Sequence, residues 1–67
     1  MKTLTGYGIK QESKKGKLYY RNFFDESWQI AEEFDMDCIA PWHIVENESK
    51  QWSDCEIVEF DIIVREV

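Results

Sequence analysis

Three observations predict an α+β fold, a small antiparallel β-sheet in the order β-β-α-β-β with one helix packed on one face. The chain has 67 residues, which suffices for a single small domain with one core and leaves no room for a second. Alternating apolar and polar residues mark two strands early in the sequence and a long one at its end. Between them lies a segment whose apolar residues recur with the helical period. Strands that outnumber helices in this arrangement give an antiparallel sheet rather than a parallel one.

Residues 3–11 and 17–24 are expected as the first two strands, joined by the turn-forming run QESKKG at 11–16. Tyr7 and Ile9 share one face of the first strand, and Gly6 and Gly8 the other. Glycines aligned on one face predict a bulge or the close approach of another segment. The second strand, KLYYRNFF, has aromatics on both faces, so it is expected to be central or covered on both sides.

Residues 25–35 are the helix candidate. Asp25 suits the N-cap, and Asp25 with Glu26 suits the positive end of the helix dipole. On a helical projection Trp28, Ile30, Ala31 and Phe34 fall on one side, and Asp25, Glu26, Gln29, Glu32 and Glu33 on the other. Residues 36–41, closed by Pro41, then connect to a short strand over 42–46. A polar turn follows over 47–53, interrupted by Trp52. The closing strand is expected over 55–67, with Val58, Phe60, Ile62 and Val64 on one face and Ile57, Glu59, Asp61, Ile63 and Arg65 on the other.

Hydrophobic residues make up 43% of the chain and aromatics 15%, too many for a disordered acidic tail. No apolar run approaches the roughly 18 residues needed to span a bilayer, and MKTLTGYG lacks the apolar stretch of a signal peptide. A net charge of −6 disfavours nucleic acid and anionic membranes as direct partners. Cys38 and Cys55 are read as reduced, partly buried thiols of a cytoplasmic protein, with a single disulfide between them left open. Beginning with Met and lacking any linker, the chain reads as a complete small gene product.

Catalytic chemistry is not expected. His43 follows Cys38 by five residues, but neither a helix N-terminus nor a glycine turn lies there to depress the thiol pKa. Cys38, His43 and Cys55 supply three zinc-type ligands with no CxxC knuckle. Gly6 and Gly8 have neither the spacing nor the following helix of a phosphate loop. No catalytic residue, metal ligand or cofactor is therefore assigned.

The charge distribution says more than its sum. Residues 1–21 carry a balance of +5 and residues 22–67 a balance of −11. The polar side of the candidate helix has carboxylates and no base, and Glu32, Glu33, Asp35 and Asp37 crowd its C-terminal end, where the dipole disfavours them. Carboxylates placed against helix stability are expected to serve a partner. The ten aromatics exceed what so small a core encloses, and Trp52, in a polar stretch, is expected to be exposed as an interface anchor. Trp42 is expected to cap the edge of the sheet. The candidate partner-binding residues are Asp25, Glu26, Glu32, Glu33, Asp35, Asp37, Glu46, Glu48, Glu12, Ser13, Trp28 and Trp52, with Glu59 and Asp61 as an extension. Such a surface suits DNA mimicry, in which carboxylates occupy the basic groove of a DNA-binding enzyme.

Several short motifs support that reading. Gly16-Lys17-Leu18-Tyr19-Tyr20 lies in the second strand, Trp28 in the expected helix after it, and an Ile- and Val-rich strand closes the chain. Gln11-Glu12-Ser13 precedes the basic turn. In this arrangement the chain resembles the small phage-encoded inhibitors of uracil-DNA glycosylase. The short variety carries a Gly-Lys-x-Tyr-Tyr run, and the longer variety a Gln-Glu-Ser edge strand. Arg21 stands where the short variety is acidic, and Lys14 where the longer one is apolar. The resemblance implies an antiparallel sheet with one helix and a DNA-like acidic surface. It also implies an apolar pocket that takes a side chain the enzyme would otherwise push into the duplex. The implied partner is a host uracil-DNA glycosylase in the cytoplasm of the host cell. The second function class is an interaction module without mimicry, a phage or bacterial regulator or anti-defence protein acting through a sheet edge and exposed aromatics. A homodimer pairing the basic hairpin with the acidic body belongs to this class.

Overall fold

The computed structural model describes residues 1–65. Four strands, β1 (Lys2–Glu12), β2 (Leu18–Asn22), β3 (Ser27–Ile30) and β4 (Cys55–Val64), form one antiparallel sheet in the order β3-β2-β1-β4. One helix, α1 (Trp42–Ser49), packs against it. The α+β class and the single helix are as expected, but the order is β-β-β-α-β rather than β-β-α-β-β, because the helix follows the third strand. Positions 66–67 of the expected closing strand lie outside the described residues. No helix among the described residues is long and apolar enough to cross a membrane.

The helix is not where the periodicity placed it. Residues 25–35 divide between the β2–β3 turn, strand β3 and a 3₁₀ turn, Ala31–Glu33. Trp28 and Ile30 satisfy the strand period as well as the helical one. As β3, their segment pairs with β2, with Arg21 opposite Trp28 and Tyr19 opposite Ile30. A helix here would have set four carboxylates against its own dipole with no cation to offset them.

The expected strand at 42–46 is instead the first part of α1, which runs on through residues 47–49, expected as a turn. Pro41, at φ −64°, occupies the N-cap position, where its missing N–H costs nothing. Val45 is fully buried on Ile9 of β1, and Trp42, three residues earlier, meets Tyr7 edge-on with ring centroids 5.1 Å apart. Trp42 thus belongs to the helix face and is no cap of the sheet edge.

The sheet is covered on both sides. On one, Tyr7, Ile9, Arg21, Trp28 and Ile57 face α1. On the other, Phe34 from the connection after β3 joins Tyr20 and Phe60, its ring centroid 5.0 Å from each of theirs. This explains the glycines. A Cβ on Gly6 would overlap Ile39, and one on Gly8 would lie 2.8 Å from the Phe60 ring and 2.9 Å from the Cys38 carbonyl oxygen. Tyr7 and Ala40 exchange backbone hydrogen bonds of 2.9 and 2.8 Å, which seats the connection along β1 beyond the end of β2. β2 is accordingly internal and covered on both faces.

Candidate protein-interaction surface

The β2–β3 turn and the connection after β3 are tied together by side-chain hydrogen bonds. Asn22, 2% exposed, accepts from the backbone N–H groups of Phe24 and Asp25 at 2.9 Å each. Its amide donates to Gln29 Oε1 at 2.8 Å. Gln29 Nε2 in turn donates to the Glu33 carbonyl and, at 3.2 Å, to Asp35 Oδ2. Asp35 Oδ1 accepts from the Asp37 N–H at 3.0 Å and caps the 3₁₀ turn Met36–Cys38. The Phe23 N–H donates to the Asp37 carbonyl at 2.9 Å, joining the turn to the connection.

This framework gathers six of the expected carboxylates. Asp25 and Glu26 lie on the turn, and Glu32, Glu33, Asp35 and Asp37 on the connection, and all six are exposed. Glu26 takes a left-handed φ of 55°, uncommon outside glycine. The same connection contributes Met36 and Ile39 to an open apolar groove of about 340 Å³. Leu4, Ala40, Pro41 and Ile62 form the rest of its apolar lining. The groove escaped the sequence reading because its residues come from three separated segments. The glycines of β1 were the available sign that something approached there. Phe24 was missed as well. It is 81% exposed at the tip of the turn, beside Asp25 and Glu26.

The remaining candidates are elsewhere. Glu46 and Glu48 are on α1, across the sheet. Glu48 is occupied, since its Oε1 accepts from Arg21 Nε at 3.1 Å. The Arg21 guanidinium lies 5.5 Å from the Trp28 ring centroid and 5.0 Å from that of Trp52, and the two indoles meet edge-on. Trp52 is therefore half-buried in this stack and not an exposed anchor, and Trp28 reaches the stack from a strand rather than a helix. Trp52 Nε1 is buried without an acceptor, a cost set against the stacking.

Glu12 lines a polar cavity with Lys10, Asp54 and Glu56. Ser13 closes the β1–β2 turn, its hydroxyl accepting from the Lys17 N–H at 3.1 Å. Gln11 and Glu12 sit on β1, which is paired on both sides, and not on an edge strand. Gly16, at φ 82°, turns the chain into β2. Lys17 lines a cavity that Glu32 also borders, so the basic turn adjoins the acidic segment. Glu59 and Asp61 are exposed on the α1 side of β4.

Cys38 is fully buried and Cys55 half-buried, and both are free thiols. Burial pushes the Cys38 thiol above its ordinary 9.0, and the charges of Asp35 and Asp37 add to this against a backbone hydrogen bond that lowers it. Cys55 is raised by burial and by Asp54. Neither arrangement yields a nucleophilic thiolate. His43 is exposed on α1, and among the described residues no three His, Cys, Asp or Glu side chains gather as a metal site. Comparison with known proteins gave no match, whether to a family model, a curated protein or a solved structure.

Proposed function

We propose that this chain is a non-catalytic inhibitor that occupies the DNA-binding groove of an enzyme, with uracil-DNA glycosylase the specific candidate. One observation carries the reading. Asp35 and Asp37 flank Met36, on the segment whose Met36 and Ile39 line the apolar groove. Carboxylates beside an apolar groove suit an enzyme surface that pairs phosphate-binding Lys and Arg with a protruding apolar side chain. The carboxylates would meet the cations and speed encounter, while the groove would take the apolar side chain and slow release.

The test is cleavage of uracil-containing DNA by uracil-DNA glycosylase with increasing amounts of the purified protein, at two salt concentrations. Inhibition at near-stoichiometric protein, weakening as salt rises, is the expected result. Glu32→Lys/Glu33→Lys should weaken it by roughly tenfold or more while leaving stability within about 0.5 kcal/mol. An enzyme that works undisturbed at stoichiometric protein removes this target. Inhibition indifferent to the charge reversal removes the acidic segment from the interface.

A further inference from the structure

The outer edge of β4 lies apart from the acidic segment and shares only Ile62 with the apolar groove of the inhibitor reading. β4 runs for ten residues and pairs with β1 from Lys2–Val64 to Gln11–Cys55 in ten consecutive positions without a bulge. Its other edge carries no strand among the described residues. Natural sheets blunt such an edge with charged side chains, especially Lys, with Pro, a bulge or shortness. On β4 the only such device is its carboxylates, which repel a like-charged strand but not a basic one. β4 has no Lys, no Pro and no break in register; six of its ten residues are Ile, Val or Phe and three are acidic, with apolar and acidic residues alternating from Val58 to Ile62.

The charges along β4 specify what could pair there. On the α1 side, Glu59 and Asp61 stand opposite Tyr7 and Thr5, which bring no charge. Glu56, on the other side, is already paired with Lys10, Nζ to Oε2 being 3.5 Å. On that other side Val58, Phe60 and Ile62 present an apolar row. A second copy fits poorly. In a two-fold antiparallel pairing with like faces on the same side, the two registers of longest overlap set Glu59 against Glu59 or against Asp61.

We infer that the β4 edge accepts an extended segment of another protein by β-addition, one that alternates Lys or Arg with apolar residues. Its cations lie opposite Glu59 and Asp61, and its apolar residues continue the row of Val58, Phe60 and Ile62. Main-chain hydrogen bonds hold the segment, and the alternating charge selects it.

The probe is a synthetic peptide alternating Lys and Val, compared with a block peptide of the same composition at physiological salt. Fluorescence anisotropy reads affinity, and amide exchange along Cys55–Val64 reads the site. The alternating peptide should bind about tenfold more tightly than the block peptide and protect β4 amides. Glu59→Lys/Asp61→Lys should reverse the preference toward a peptide alternating Glu and Val. Glu59→Gln/Asp61→Asn should abolish it, and serves where the charge reversal perturbs folding. Equal affinity for alternating and block peptides would overturn the inference, as would protection away from β4. So would sedimentation showing a dimer of the free chain paired through β4. Glu32→Lys/Glu33→Lys should leave peptide binding unchanged, which separates this site from the inhibitory surface.

Discussion

The two faces of the sheet use the same residue types to opposite ends. On the α1 face a carboxylate, Glu48, meets a cation, Arg21, inside a stack of two indoles, and the Arg21 residue is only 8% exposed. On the opposite face the carboxylates of the connection meet backbone N–H groups, amides or water, and the apolar side chains beside them leave an open groove. The first face is closed where Arg21 meets Glu48 beside the two indoles, while Glu59 and Asp61 at its β4 margin stay exposed. The second keeps an open groove, and the segment that covers it, 31–41, has carboxylates but no base. An ion pair buried between packed rings contributes to folding, whereas carboxylates left exposed at the rim of a groove are available to a partner.

The sharpest way to break this comparison is to open the closed face. Arg21→Ala should cost about 2–4 kcal/mol, since it leaves Glu48 partly buried without its cation and removes the guanidinium between Trp28 and Trp52. Urea unfolding reads the loss. Arg21→Lys should recover part of it, because an ammonium keeps the charge but not the planar stack. A loss below about 0.5 kcal/mol would mean that the α1 face is no more closed than the other.

A second change tests whether the connection is firmly seated beneath its open groove. Gly8→Ala places a methyl group against the Phe60 ring and the Cys38 carbonyl and should cost about 1–3 kcal/mol. If Gly8→Ala is neutral in urea unfolding, the connection yields readily and the groove has no fixed shape.

The smallest expected effect is that of pH on the thiols. Both thiols have raised pKa values in the folded chain, so folding favours their neutral form. Their contribution to stability is complete below the ordinary thiol pKa and is lost as pH rises through the folded values. Unfolding followed from roughly pH 8 to 10 should show stability falling more steeply for the native chain than for Cys38→Ala/Cys55→Ala. Identical slopes would mean that neither thiol is meaningfully desolvated.

Much of the sheet was legible because its strands repeat a simple period over many residues. β1 and β4 alternate along most of their length, and the glycines at 6 and 8 announced the close approach that Ile39 and Phe60 make. The six exposed carboxylates were legible as a group through their closeness in sequence. The helix was not. Trp28 and Ile30 fit both periods, and the window at 42–46 was too short to distinguish them. Strand pairing with β2 decided the first segment, and burial of Val45 on Ile9 the second.

The sequence by itself therefore determined the fold class, three of the four strands and the separation of a basic hairpin from an acidic body. These follow from local period and composition. Only the tertiary structure decided which carboxylates remain available. Arg21 and Glu48 are 27 residues apart, and local pattern does not record which charges will meet. Glu48 is half-buried against Arg21 because the fold carried a cation to it. Asp35 and Asp37 remained at the surface, with no cation in ion-pair range among the described residues and Asp35 held by Gln29 and the Asp37 N–H.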